Sequence, residues 1–160
     1  MTQDHRHVVN EFFVNVFNKI LLYEEQSLNR SGCKDLSVRE THVLEVVDML
    51  EVELRNSMTN IAERLAISVG ALTTSVNALV RKEYLFRESS QKDRRIVYVK
   101  LTEKGQKALE HHKRFHRKMI DSLEKTLDDK EWDTLVHSLE ALSTFFEGTN
   151  EYRPEIRMEE

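Results

Sequence analysis

The chain has 160 residues, 39% hydrophobic and 32% charged, with a formal net charge of −4, which fits one globular domain that buries its core without covalent staples. The single cysteine, Cys33, excludes an internal disulfide, and the lack of any run of eighteen apolar residues excludes a transmembrane helix. One proline and four glycines leave room for long helices.

The opening "MTQDHRHVV" lacks the basic-then-apolar layout of a secretory leader, so a cytoplasmic location is expected. Residues 8–28 place Val9, Phe13, Val16, Phe17 and Ile20 at helical spacing. "NRSGCKDL" breaks that pattern, and Cys33 reads as an ordinary loop thiol or, in the alternative, a redox or metal ligand. Ser37 with Glu40 three residues on forms a capping box, and Val43, Leu44, Val47 and Leu50 follow on one face. Thr59 is placed to cap a short helix, "NIAERLA", and Ser68 a second, "VGALTTSVNALVRKE". The second helix has an apolar stripe of Leu72, Val76, Leu79 and Val80. Its opposite face carries Thr73, Thr74, Asn77 and Arg81.

Two short helices joined by a tight turn, the second with small polar residues outward, describe a helix-turn-helix. Hydroxyl and amide side chains of that size bond to base edges in a major groove. A merely solvated face is the alternative. "YLFRE" and "IVYVKLT" then read as a hairpin. It sets Ile96, Tyr98 and Lys100 on one face and Val97, Val99 and Leu101 on the other. Thr102 caps a long helix whose stripe runs through Leu109, His112, His116, Met119, Leu123 and Leu127. Gly105 in its first turn signals a close approach to a neighbour. Asp128 or Asp129 opens a last helix with Trp132, Leu135, Leu139, Leu142 and Phe146 apolar, and Gly148 ends it.

The expected fold is mainly α with a small β-hairpin wing, a winged helix-turn-helix. A single domain covers 1–147, with the winged module in 37–102, dimerisation helices 8–28 and 103–147, and a polar tail 148–160. Terminal helices with long apolar stripes need a partner surface, which a two-fold dimer supplies. A dimer also sets two recognition helices one DNA turn apart, roughly 34 Å.

Charge is distributed unevenly. Residues 81–118 hold thirteen Lys or Arg against five Asp or Glu, whereas residues 121–160 hold four against twelve. A basic stretch followed by an acidic tail is the footprint of a polyanion partner, with solvated surface charge as the alternative. No glycine-rich phosphate loop, nucleophile elbow or acid pair suggests an enzyme.

The stretch "KDRRIVYVKLTEKG" resembles the wing signature of the MarR family of bacterial transcriptional regulators, carried here by Asp93, Arg95, Leu101, Thr102 and Gly105. The resemblance covers nearly the whole chain apart from the tail. It implies that the wing lies along the minor groove and that Arg95 enters it, where narrow grooves concentrate negative potential. Asp93 then holds the tip or the arginine by a charge-assisted bond, and Lys92 and Arg94 meet phosphates. The expected interface is Ser68, Thr73, Thr74, Asn77, Arg81, Lys92, Asp93, Arg94 and Arg95 on a pseudo-palindromic operator.

Within the family, "ILLYEEQSL", "DLSVRETHVLEVV" and "HKRFHRKM" are similar to the fatty-acid-synthesis repressors of Firmicutes. That similarity implies a long-chain acyl group on acyl carrier protein as co-repressor. Phe12, Phe13, Phe17, Phe115, Met119 and Ile120 are then candidates for an apolar channel, or plain core. "HKRFHRK" can dock an acidic carrier protein or touch phosphates. A second possibility is zinc sensing: His112 and His116 stand four residues apart on one helix face, and His42, Glu24, Glu25, Glu40 and Cys33 can add ligands. Histidines hydrogen-bonded in a dimer core are the alternative, as is a MarR-type response to another small molecule or stress. No resident cofactor is expected.

Overall fold

A computed structural model describes residues 3–91 and 96–148. In chain order it contains α1 (Gln3–Arg30), α2 (Val38–Val52), α3 (Met58–Arg64), α4 (Val69–Arg81), β1 (Leu85–Ser89), β2 (Val97–Leu101), α5 (Glu103–Glu124) and α6 (Asp129–Gly148). The chain divides into two compact units, Met1–His116 and Arg117–Glu160. Among the described residues no helix is long and apolar enough to cross a membrane.

The first unit is built on a core of Leu44 and Val47 from α2, Ile61 from α3, Leu72, Val76 and Leu79 from α4, Leu85 and Val99 from the hairpin, and Leu109 from α5. Their spacing is what the sequence dictates: three to four residues in the helices and two in the strands. The strands pair antiparallel with Leu85 opposite Leu101 and Arg87 opposite Val99. The hairpin is anchored from behind by Asn56, whose Nδ2 donates to Val99 O (2.8 Å) and whose carbonyl accepts from Val99 N (3.0 Å). The helix-turn-helix and the wing are thereby one packed body, a winged helix-turn-helix.

Caps fix the helix starts. Ser37 and Glu40 form the expected reciprocal box, Ser68 Oγ accepts from Ala71 N, and Thr102 Oγ1 accepts from Gly105 N. The expectation for α3 needs correction: Ser57, not Thr59, is its cap, accepting from Asn60 N. Ser57 is held there by its bridge to Tyr98 on β2, a tertiary pairing that overrides the local choice. Helices α2, α3 and α4 each end with a left-handed residue that is not glycine, namely Leu54, Ala66 and Glu83. Each places the next amide on a carbonyl one turn back: Arg55 N to Leu50 O, Ile67 N to Ala62 O, and Tyr84 N to Leu79 O.

Gly105 is required by geometry. A Cβ there would lie 2.2 Å from Tyr84 O and 2.9 Å from Leu101 Cδ2, so α5 crosses the start of the hairpin at backbone contact. Helix α1 is longer than the 8–28 expected, because its polar first turns contain no helix breaker. It leaves Val9, Phe12, Phe13, Phe17 and Leu21 exposed. In the second unit, Asp128 and Glu131 cap α6 reciprocally through two 2.9 Å bonds.

Candidate nucleic-acid interface and a histidine cluster

Helix α4 turns Leu72, Val76 and Leu79 into the core and leaves Ser68, Thr74, Asn77 and Arg81 exposed, with Thr73 half-buried. The sequence-derived face is therefore brought together on one side of one helix. Thr73 Oγ1 donates to Val69 O (2.7 Å) and Thr74 Oγ1 to Gly70 O (3.3 Å). These donors are spent along the helix, which leaves the hydroxyl oxygens as outward acceptors. Asn77 is held from outside the helix: Arg87 Nη2 donates to its Oδ1 at 2.9 Å. Sequence reading missed Arg87. Its signal was its phase with Leu85, two residues earlier on the strand, which carries it on the face of β1 that meets α4. Lys92, Asp93, Arg94 and Arg95 lie outside the described residues.

The helix end behind this face is fixed by a polar knot. Lys82, the C-cap of α4, donates to both oxygens of Glu40 (2.7 and 2.8 Å) and to Asp35 O. Burial pushes the Glu40 carboxyl up, but Lys82 and the Ser37 N–H and hydroxyl together hold it below the usual carboxylate range. Tyr84 Oη donates to Asp35 Oδ1 (2.7 Å), and that bond, with Lys104 nearby, holds the Asp35 carboxyl low. Burial first, and then the Asp35 bond, push the Tyr84 phenol up. Glu40 is thereby committed to the fold, and among the described residues it is not in the group whose ligand atoms converge.

A second polar cluster lies between α1, α2 and the first half of α5. Glu24, 2% exposed, receives His116 Nε2 on Oε1 at 2.9 Å, and His42 Nε2 stands 3.8 Å from its Oε2. His112, also buried, has its Nε2 3.2 Å from His116 Nε2 and 3.7 Å from Glu45 Oε2. The His112 imidazole beside it holds the Glu45 carboxyl low against the burial that raises it. Glu24 Oε2 makes no hydrogen bond among the described residues, and an unpaired buried carboxylate oxygen is costly. One atom each of Glu24, His42 and His112 lie within 4.8 Å of one another. Two imidazoles and a carboxylate are a donor set that suits Zn²⁺, and the orphan oxygen fits a cation there. Glu25 is exposed, and Cys33 packs against the core.

Of the candidate channel residues, Phe12, Phe13 and Phe17 are 55%, 43% and 67% exposed on α1, with Phe12 and Phe13 edge to face at 5.9 Å. Phe115 stands edge-on to His116 at 5.3 Å. Met119 is half-buried and Ile120 exposed in the second unit.

Residues 27–112 match the family model described as "Transcriptional regulator SarA/Rot". The chain is 31% identical over 124 residues to the HTH-type transcriptional regulator YpoP of Bacillus subtilis, covering 76% of this chain and 84% of that protein. It is 29% identical to the transcriptional regulator AdcR of Streptococcus pyogenes over 71% of this chain and 78% of that one. Among solved structures, Streptococcus pneumoniae FabT in complex with DNA superposes with a TM-score of 0.79 at 31% identity, covering 89% of this chain and 97% of FabT.

Proposed function

This chain belongs to the SarA/Rot family of transcriptional regulators, winged-helix proteins of the MarR type, and we propose that it is a homodimeric repressor of fatty-acid or lipid synthesis genes. The observation that carries DNA reading is α4, whose Ser68, Thr73, Thr74, Asn77 and Arg81 face away from a rigid core. Two such helices read successive major grooves of a pseudo-palindrome, and Lys92, Asp93, Arg94 and Arg95 serve the flanking minor groove and phosphates. The exposed apolar face of α1 supports pairing of two chains through the terminal helices. The likeness to FabT supports the lipid assignment, with long-chain acyl carrier protein as co-repressor and Phe12, Phe13, Phe17 and Phe115 as the acyl-site candidates within the first unit.

The test is binding of variants to DNA that the wild type selects. Thr73→Ala relaxes base preference, whereas Arg81→Ala weakens all sequences alike and lowers the salt slope by about one unit. Arg95→Ala weakens the operator by about 1–3 kcal/mol, the worth of one good groove contact. If all three leave selection, affinity and salt slope unchanged, α4 and the wing are not the reading surface.

A second reading rests on one observation, the unpaired buried oxygen of Glu24 beside His42 and His112. In it the effector is a divalent cation, Zn²⁺ by donor chemistry, taken by those three residues while His116 holds Oε1 of Glu24. Zinc at a hundred times its dissociation constant then stabilises the fold by about 2.7 kcal/mol, and Glu24→Gln or His112→Ala removes the effect. Operator affinity measured with acyl carrier protein bearing a long chain, with carrier alone and with zinc separates the two readings. A response to zinc alone, lost in Glu24→Gln, overturns the lipid reading.

A further inference from the structure

We infer that Arg87 sets the base that Asn77 reads, by fixing which edge of the Asn77 amide faces the groove. The inference rests on α4 being the recognition helix. Asn77 is exposed, and its Oδ1 accepts from Arg87 Nη2 at 2.9 Å. The assignment of oxygen and nitrogen follows from chemistry: a guanidinium only donates, so the atom facing it must be the acceptor Oδ1. The carboxamide is planar, so the edge turned away from Arg87 carries Nδ2 and its two donors. A free asparagine offers one donor and one acceptor, the pairing that suits adenine N7 and N6. Held by Arg87, one of the two lone pairs of Oδ1 is already taken and Nδ2 is the end turned outward, so donors lead what it offers, which suits acceptor-bearing edges such as guanine N7 and O6 or thymine O4.

The strand delivers Arg87 to this place. Leu85 and Arg87 share one face of β1, and Leu85 enters the core, so Arg87 emerges beside α4. Phe86 and Glu88 share the other face, and Glu88 pairs there with Lys100 at 2.7 Å. Arg87 therefore acts as a positioning residue rather than a direct reader. Its effect is confined to the base step that Asn77 meets.

The experiment is selection of duplex DNA from a random pool by full-length wild type, Arg87→Ala, Arg87→Lys, Asn77→Ala and Asn77→Asp. In the wild type one position per half-site is enriched in G or T. Asn77→Ala flattens that position and no other, which locates it. Arg87→Ala admits adenine there, so that discrimination of roughly tenfold or more falls toward unity, while Arg87→Lys keeps part of it. Asn77→Asp retains the pair with Arg87 but turns an acceptor outward, so the preference inverts toward cytosine, whose N4 amino group donates. If Arg87→Ala lowers affinity for every sequence alike and lowers the salt slope by about one, with the base profile intact, Arg87 is a phosphate contact and the inference is wrong. If Asn77→Ala leaves every position unchanged, the inference is equally wrong, although other α4 variants can still sustain DNA reading. If the wild type enriches no motif, the DNA reading falls and the inference with it.

Discussion

The two polar clusters that share α2 differ in one respect. At its N-terminus, Ser37, Glu40, Lys82, Asp35 and Tyr84 satisfy one another, and Lys82 spends its ammonium on three acceptors. Further along the same helix, His42 and Glu45 face Glu24, His112 and His116, and one buried oxygen of Glu24 is left over. A buried polar network that is complete holds parts together; one that is a partner short leaves room for a ligand or a proton. The first ties the C-terminal end of α4 to the scaffold, and the second leaves one buried acceptor unmet among the described residues.

The largest expected effect attacks the complete cluster through its backbone. Gly105→Ala drives a methyl into Tyr84 O and should destabilise by about 3 kcal/mol or more, seen as a lowered urea midpoint. A loss below about 1 kcal/mol would mean that α5 and the hairpin slide apart freely.

Lys82→Met comes next, at about 1–3 kcal/mol, because Glu40 is left largely buried without its cation. The same pair sets the acid limb. Glu40 and Asp35 both have depressed folded-state values, so their contribution is fully present above their unfolded values of about 4.3 and 3.9. It is lost as pH falls through the lower folded values. Chemical denaturation between pH 6 and about 3 should show wild-type stability falling only at the acid end. In Lys82→Met the part owed to Glu40 should already be missing at pH 6, which flattens the curve. Parallel curves for the two proteins would refute the Glu40 linkage.

Glu24→Gln is the smallest effect. Without added metal it should cost less than about 1 kcal/mol, because the remaining oxygen can still accept from His116 and the atom exchanged is the one without a partner. A loss as large as that of Lys82→Met would show the histidine cluster to be as structural as the other and erase the contrast.

Local features were legible in the sequence. The Ser37–Glu40 box, the Ser68 and Thr102 caps and the polar face of α4 depend on spacings of three or four residues, which periodicity exposes. The cap of α3 was not, because "SMTN" offers two hydroxyls and Ser57 wins through a bridge to Tyr98, 41 residues away. Several lysines of the basic run over residues 81–118 also meet carboxylates of the fold. Lys82, Lys100, Lys104, Lys107 and Lys113 meet Glu40, Glu88, Asp35, Glu103 and Asp48. Three of those carboxylates lie more than forty residues from their lysine in the chain. The histidine pair on α5 could be read from its spacing, but the convergence of Glu24 and His42 on it is tertiary. Arg87 was passed over for the same reason: a strand arginine gains its meaning from the helix it leans on.

The central claim is that two copies of α4 read DNA, and the DNA itself is the most direct witness. Full-length protein should be allowed to select duplexes from a random pool at two salt concentrations. The account predicts a two-fold pseudo-palindrome whose half-site centres lie about one helical turn apart, roughly 34 Å, bound more weakly as salt rises. A pool that emerges unenriched, or a single asymmetric site bound by one chain, would contradict it.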